Sequence, residues 1–193
     1  MNSIVLDLET KKDFREIGSK RKPGLLGVSV VGIYDYTDNK YKTFEESQIW
    51  ELENILVSSP MIIGFNIKGF DFLVLEPYLK QVKIKDINSV DIMEEIARYS
   101  GFRVSLDSVS MATLKQSKTA SGMEALNLYK QGKIEELKDY CLNDVRLTKE
   151  IYEFGLKNKF VFIKSRDGVL DHKIPVSWSP VVSSERSSPL SLF

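Results

Sequence analysis

Short apolar runs closed by turn-forming residues fill the first half of the chain, and helical spacing takes over in the second. Residues 3–8, SIVLDL, are an apolar run ending in acids, which predicts an opening strand. Residues 25–36, LLGVSVVGIYDY, are rich in β-branched and aromatic side chains and predict a second strand. A turn at Thr37–Lys40 then leads into YKTFE and closes a hairpin. Ile49, Leu52, Ile55 and Leu56 have the helical period, with Ser47 as the expected cap. PMIIGFN (60–66) reads as a buried strand, and FDFLVLEPYLK as a helix that Pro77 interrupts. INSVDI predicts a short strand, MEEIARYS a helix, and 105–115 another helix capped by Ser105 or Asp107. MEALNLYKQG adds a further helix. In the long segment after it, Ile134, Leu137, Cys141, Val145, Thr148, Ile151 and Tyr152 trace one stripe. FVFIKSRDGVLDHKIPV reads as a hairpin turning at Asp167–Gly168. The order predicts an α/β fold, a mixed sheet covered by helices on both faces.

Composition divides the chain further. From Ser177 the last 17 residues hold seven Ser and two Pro without a helical or strand period until the final LSLF, which predicts a flexible tail. The expected divisions are a globular domain over 1–158, a β-hairpin extension over 159–176 and the tail over 177–193. Lys and Arg number 27 against 27 Asp and Glu, a formal charge of zero. That balance excludes binding nucleic acid through bulk positive charge, but not a local basic groove offset by an acidic site. A single cysteine, Cys141, and a single histidine, His172, exclude an internal disulfide and a His-based zinc site. Any metal would need hard oxygen ligands. No apolar run approaches the roughly 18–20 residues that span a bilayer. MNSIVLDLET, with Asp7 and no basic segment before an apolar core, lacks the pattern of a signal peptide. The expectation is a soluble protein of a reducing cytoplasm with no membrane partner.

Four acids fall where such a fold would expose them together. Asp7 and Glu9 are two apart at the end of the first strand, so both side chains share one face. Asp71 follows the strand MIIG, where the chain turns into a helix. Asp144 lies on the long helix with Tyr140 four residues earlier, one turn away on the same face. Singly, each acid fits a turn or cap, and Asp71 an N-cap. Together, Asp-x-Glu, then Asn66-x-x-x-Phe70-Asp71, then Tyr140-x-x-x-Asp144 form an ordered pattern.

That pattern resembles the DEDD superfamily of 3′–5′ exonucleases with a ribonuclease H-like fold, in its tyrosine-bearing subgroup found in proofreading and RNase D-type enzymes. LDLET is similar to the first motif of that family, GFNIKGFD to the second and YCLNDV to the third, and SLDSVSMATL to the family segment before the third. The likeness covers roughly residues 3–155, and the hairpin with IPVSW is similar to stand-alone or helicase-associated prokaryotic members. The resemblance implies two divalent ions, Mg²⁺ or Mn²⁺. Asp7 would bridge both, Glu9 and Asp144 would complete one site, and Asp71 would serve the second through water. Tyr140 would position or help deprotonate the attacking water. The chemistry suits these residue types, because hydrolysing a phosphodiester builds charge on a group already negative, and two ions can hold the attacking and leaving oxygens.

For the substrate, Leu8 and Thr10 flank the first acids and are candidates for the terminal nucleotide. Asn66 and Phe70 match family positions near sugar and base, though Leu8 and Phe70 equally fit ordinary core packing. Lys20, Arg21, Lys22 and Lys68 are candidates for the phosphate backbone, with Lys115 and Lys118 beside them, and the 20–22 run also fits a solvated loop. The chain's end, Pro189-Leu190-Ser191-Leu192-Phe193, resembles the peptide with which bacterial polymerases and repair factors bind the sliding clamp. Leu190, Leu192 and Phe193 would be the contacts, and Pro189 stands where that peptide has glutamine. The resulting expectation is a metal-dependent exonuclease acting on single-stranded 3′ ends of DNA, in replication or repair. The alternatives are an RNase D-like exoribonuclease and a non-catalytic adaptor that binds nucleic acid or a helicase.

Overall fold

The computed structural model describes residues 2–18, 22–58, 60–117, 122–165 and 171–178. Strand β1 (Ser3–Thr10) is central in a five-stranded sheet with β2 (Val28–Asp35), β3 (Lys40–Glu45), β4 (Met61–Gly64) and β5 (Ser89–Asp91), in the order β3-β2-β1-β4-β5. β2 and β3 run antiparallel to their neighbours, while β4 and β5 are parallel to β1. The mixed sheet is therefore the expected one.

Period-two alternation assigns β1 to two cores. Ile4, Leu6 and Leu8 face α1 (Ile49–Val57) and α2 (Asp71–Leu75). Val5 faces the other layer, built from α3 (Ile92–Ser100), α4 (Leu106–Leu114) and the long α6 (Ile134–Asn158). Between them α5 (Gly122–Lys130) packs on the start of α6 and on Val30 of β2. The two-faced cover holds, and Pro77 ends α2 as expected, in a single 3₁₀ turn over Glu76–Tyr78. Ser105 caps α4 by accepting from the Ser108 amide at 3.1 Å.

Two expectations are corrected. Ser47 does not cap α1. It lies inside a 3₁₀ turn, and the entry is held by Gln48, whose Oε1 accepts from the Glu45 amide at 3.1 Å. The expected C-terminal hairpin, β6 (Phe160–Lys164) and β7 (Asp171–Pro175), is present and packs on the rest of the fold. Val161, Ile163 and Ile174 are buried in the same core as Val5 and Val145. Thr113 of α4 pins its edge, donating to the Phe162 carbonyl at 2.8 Å and accepting from the Phe162 amide at 2.9 Å. The folded part runs past the expected boundary at 177, because Trp178 is only 2% exposed and its Nε1 donates to the Tyr152 carbonyl at 3.0 Å. The turn at Asp167–Gly168 and the rest of the tail lie outside the described residues. No helix among the described residues is long and apolar enough to cross a membrane.

Candidate active site

Asp7 and Glu9 extend from the α6 side of β1, and a bulge between Glu9 and Thr10 shifts the pairing with β2 directly after them. On α6 the i, i+4 spacing stacks Tyr140 and Asp144, 5% and 2% exposed, over that strand. Oxygens of Asp7, Glu9 and Asp144 all lie within 4.8 Å of one another. Cys141, fully buried, sits between helix and strand, its Sγ donating to the Asp7 carbonyl at 3.5 Å and lying 3.9 Å from Asp7 Oδ2.

Asp71 opens α2 but does not cap it. Its Oδ1 accepts the Leu8 amide of β1 at 3.0 Å, and the residue is 3% exposed. Burial pushes the Cys141 thiol well up, and so do the charges of Asp7, Glu9, Asp144 and Asp71, in that order. All four acids thus act on one buried thiol. Burial, then the charges of Asp144, Glu9 and Asp7, push the Tyr140 phenol far above its usual range.

Three carboxylates this close repel one another by at least about 3 kcal/mol per pair at an effective dielectric near 20. A cation bound by hard oxygen ligands relieves that conflict, so the donor set fits Mg²⁺ or Mn²⁺. The burial of Asp144 makes the fit more than that of a solvated acidic patch.

The other expected residues divide. Leu8 is 4% exposed in the α1–α2 core, so its side chain faces away from the carboxylates and only its backbone is at the site. The Thr10 hydroxyl donates to the Lys12 carbonyl at 2.8 Å. Phe70 is half-buried, edge-on to Phe14 at 6.1 Å between centroids, and with Thr10, Phe14 and Leu126 it lines a hollow of about 180 Å³. Asn66 holds a left-handed φ of 64°. Lys68 is exposed and paired with Glu94 at 2.7 Å, Lys115 pairs with Asp171 at 3.2 Å, and Lys22 is exposed. Lys20, Arg21, Lys118, Leu190, Leu192 and Phe193 lie outside the described residues.

Three residues at the site escaped the sequence reading. Asp91, 3% exposed, accepts the Asn66 amide at 2.9 Å and the Lys68 amide at 3.1 Å while capping α3 through the Glu94 amide at 3.2 Å. Its Asp-x-x-Glu spacing before a helix was a signal for the cap, though not for the loop it grips. Arg103 Nη2 donates to Asn66 Oδ1 at 2.5 Å. Phe14 flanks Phe70. Neither a lone loop arginine nor a lone phenylalanine carries a sequence signal.

The family model of the RNase H superfamily matches residues 6–154, a span that contains all four acids and Tyr140. Among solved structures, the family B DNA polymerase from the hyperthermophilic archaeon Pyrobaculum calidifontis is similar at a TM-score of 0.61 and 18% identity. The match covers 80% of this chain and 24% of that one, so the chain spans about a quarter of the polymerase, and the likeness is one of fold. No curated protein matches the chain.

Proposed function

Since the chain belongs to the RNase H superfamily, we propose that it is a metal-dependent 3′–5′ exonuclease acting on single-stranded DNA ends. The observation that carries the reading is the convergence of Asp7, Glu9 and Asp144 oxygens within 4.8 Å, beside a buried Tyr140.

Asp7, Glu9 and Asp144 would hold one divalent ion, and Asp7 with Asp71 a second. Bound there, the two ions would offset the charge that develops on the phosphodiester and lower the pKa of water. The protein's own part is positional. The Leu8 amide fixes Asp71, and Asp91 fixes the loop that presents Asn66. Tyr140, buried beside the acids, would position the attacking water or help deprotonate it. Thr10, Asn66 and Phe70, with Phe14 beside Phe70, receive the terminal nucleotide, and Lys68 a phosphate. The choice of DNA rests on the C-terminal peptide, whose Leu190, Leu192 and Phe193 would dock on a bacterial sliding clamp and raise the local concentration of DNA ends.

The test is digestion of 5′-labelled single-stranded DNA and RNA with Mg²⁺, Mn²⁺ or EDTA. Stepwise shortening from the 3′ end is expected, absent in EDTA and reduced about a thousandfold in Asp7→Ala and Asp144→Ala. Activity that survives EDTA or both substitutions would sink the two-metal assignment. Faster digestion of RNA would move the reading to an RNase D-like enzyme, and binding without cleavage to an adaptor.

A further inference from the structure

Asp7, Asn66 and Arg103 border a hollow of about 250 Å³. A second hollow, of about 410 Å³, lies between α3 and the C-terminal hairpin. One stretch of chain, 99–106, walls both. Tyr99, Ser100 and Phe102 line the second, and Arg103 to Leu106 line the first. The second hollow has a floor of Ile163 and Ile174 from the hairpin, and His172 and Lys173 also line it.

Its chemistry is specific. Tyr99 is a large aromatic left 53% exposed at the end of α3. The neighbouring acids are already matched. Asp171 is held by Lys164 at 2.7 Å and by Lys115 at 3.2 Å, Glu95 by Arg98 at 3.0 Å, and Glu94 by Lys68 at 2.7 Å. Lys173 borders the hollow through its backbone, since its ammonium lies over the Phe160 ring at 3.8 Å on the other face of the hairpin. Arg103 hydrogen-bonds Asn66 through one nitrogen of a five-donor fork that suits a phosphate. An exposed ring beside an arginine offers a base a stacking platform without regard to sequence and its phosphate a cation.

We propose that the second hollow binds the upstream nucleotides of the single strand whose 3′ end lies among the carboxylates. Tyr99 and Phe102 stack on bases, and Arg103 takes the phosphate that passes from one hollow to the other. The proposal rests on the nuclease reading above. It gives the C-terminal hairpin a part in holding substrate.

The test is anisotropy of labelled single-stranded DNA of about 4 and about 12 nucleotides, lengths that bracket a short and an extended site. The full chain is used, with Ca²⁺ replacing Mg²⁺ to prevent cleavage. Wild type is expected to bind the longer strand at least about tenfold more tightly, and Tyr99→Ala or Arg103→Gln to erase most of that gain with unchanged melting temperatures. Arg103→Gln should also make the slope of log K against log salt shallower by about 0.7, a change that a purely structural role would not produce. Variants that keep the full length gain would overturn the proposal and assign the hollow to a different occupant. A wild type that releases 3′ nucleotides yet shows no length gain would overturn the track alone. One that neither binds nor cleaves either strand would remove the nuclease reading with it.

Discussion

Gly32 sets how closely α6 approaches the strand that carries Asp7. It pairs with Asp7 across β1 and β2, and a Cβ there would lie 2.9 Å from Cys141 Sγ and 3.1 Å from Val145 Cγ2. Gly32→Ala must therefore lift the helix that carries Tyr140 and Asp144. The expected cost is about 1–3 kcal/mol, with weaker Mn²⁺ binding as Asp144 moves off Asp7. Cys141→Ala removes the atom in closest conflict, so the pair should be less damaging than the sum of the two changes. A double-mutant cycle in urea should give a coupling of about 1 kcal/mol, and strictly additive values would show that the helix does not move. The acids differ from this glycine in how they show in the sequence. Asp7, Glu9 and Asp144 were legible because spacings of two on a strand and four on a helix fix which side chains share a face. Gly32 was not, since a glycine among β-branched residues says nothing about what crosses it. Asp91 and Arg103 were hidden for the same reason. Their partners, the amides of Asn66 and Lys68 and the side chain of Asn66, are 23 to 37 residues away.

At the level of elements, the period of α1 was legible in Ile49, Leu52, Ile55 and Leu56, but one of its acids was not read as buried. Glu53, 4% exposed, accepts three successive amides with Oε1, from Lys80 at 2.6 Å, Gln81 at 2.7 Å and Val82 at 3.1 Å. It ties α1 to the turn beyond α2, the helix that Asp71 opens. Burial alone would raise this carboxyl, but the amides of Gln81, Val82 and Lys80 outweigh it, and the net shift is downward. A folded pKa below the unfolded value of roughly 4.3 means stability fully present above that pH and lost as pH falls through the folded value. Glu53→Gln keeps an acceptor but not its charge. It should be about 2 kcal/mol less stable than wild type at pH 7, with the gap closing at the acid end. Urea midpoints across pH 2–7 check this (a range chosen around the roughly 4.3 reference), and a gap independent of pH would show that the charge is not what holds the turn. From sequence, Glu53 looked like any acid between two apolar helix positions, because only the later turn at 80–82 covers it.

For the whole molecule, the question is where the folded unit ends. Composition drew the line at residue 177, since Ser and Pro dominate the remaining residues and a single tryptophan leaves no period. The structure instead makes Trp178 a closing wedge. Its ring stacks on Tyr152 at 6.2 Å and stands against Gly155, where α6 has no side chain to obstruct it. A chain cut after residue 178 should melt with the full chain and digest short strands at the same rate. A chain cut after residue 176 loses one large buried side chain, about 3–5 kcal/mol or roughly 10 °C in melting temperature. The same pair of truncations separates folding from recruitment. If Leu190, Leu192 and Phe193 serve a sliding clamp, the full chain retains the clamp in a pull-down and the 178-residue chain loses it while keeping its melting temperature. Clamp retention by the shorter chain would refute the tail as the contact, and a large drop in its melting temperature would show that residues past 178 belong to the fold.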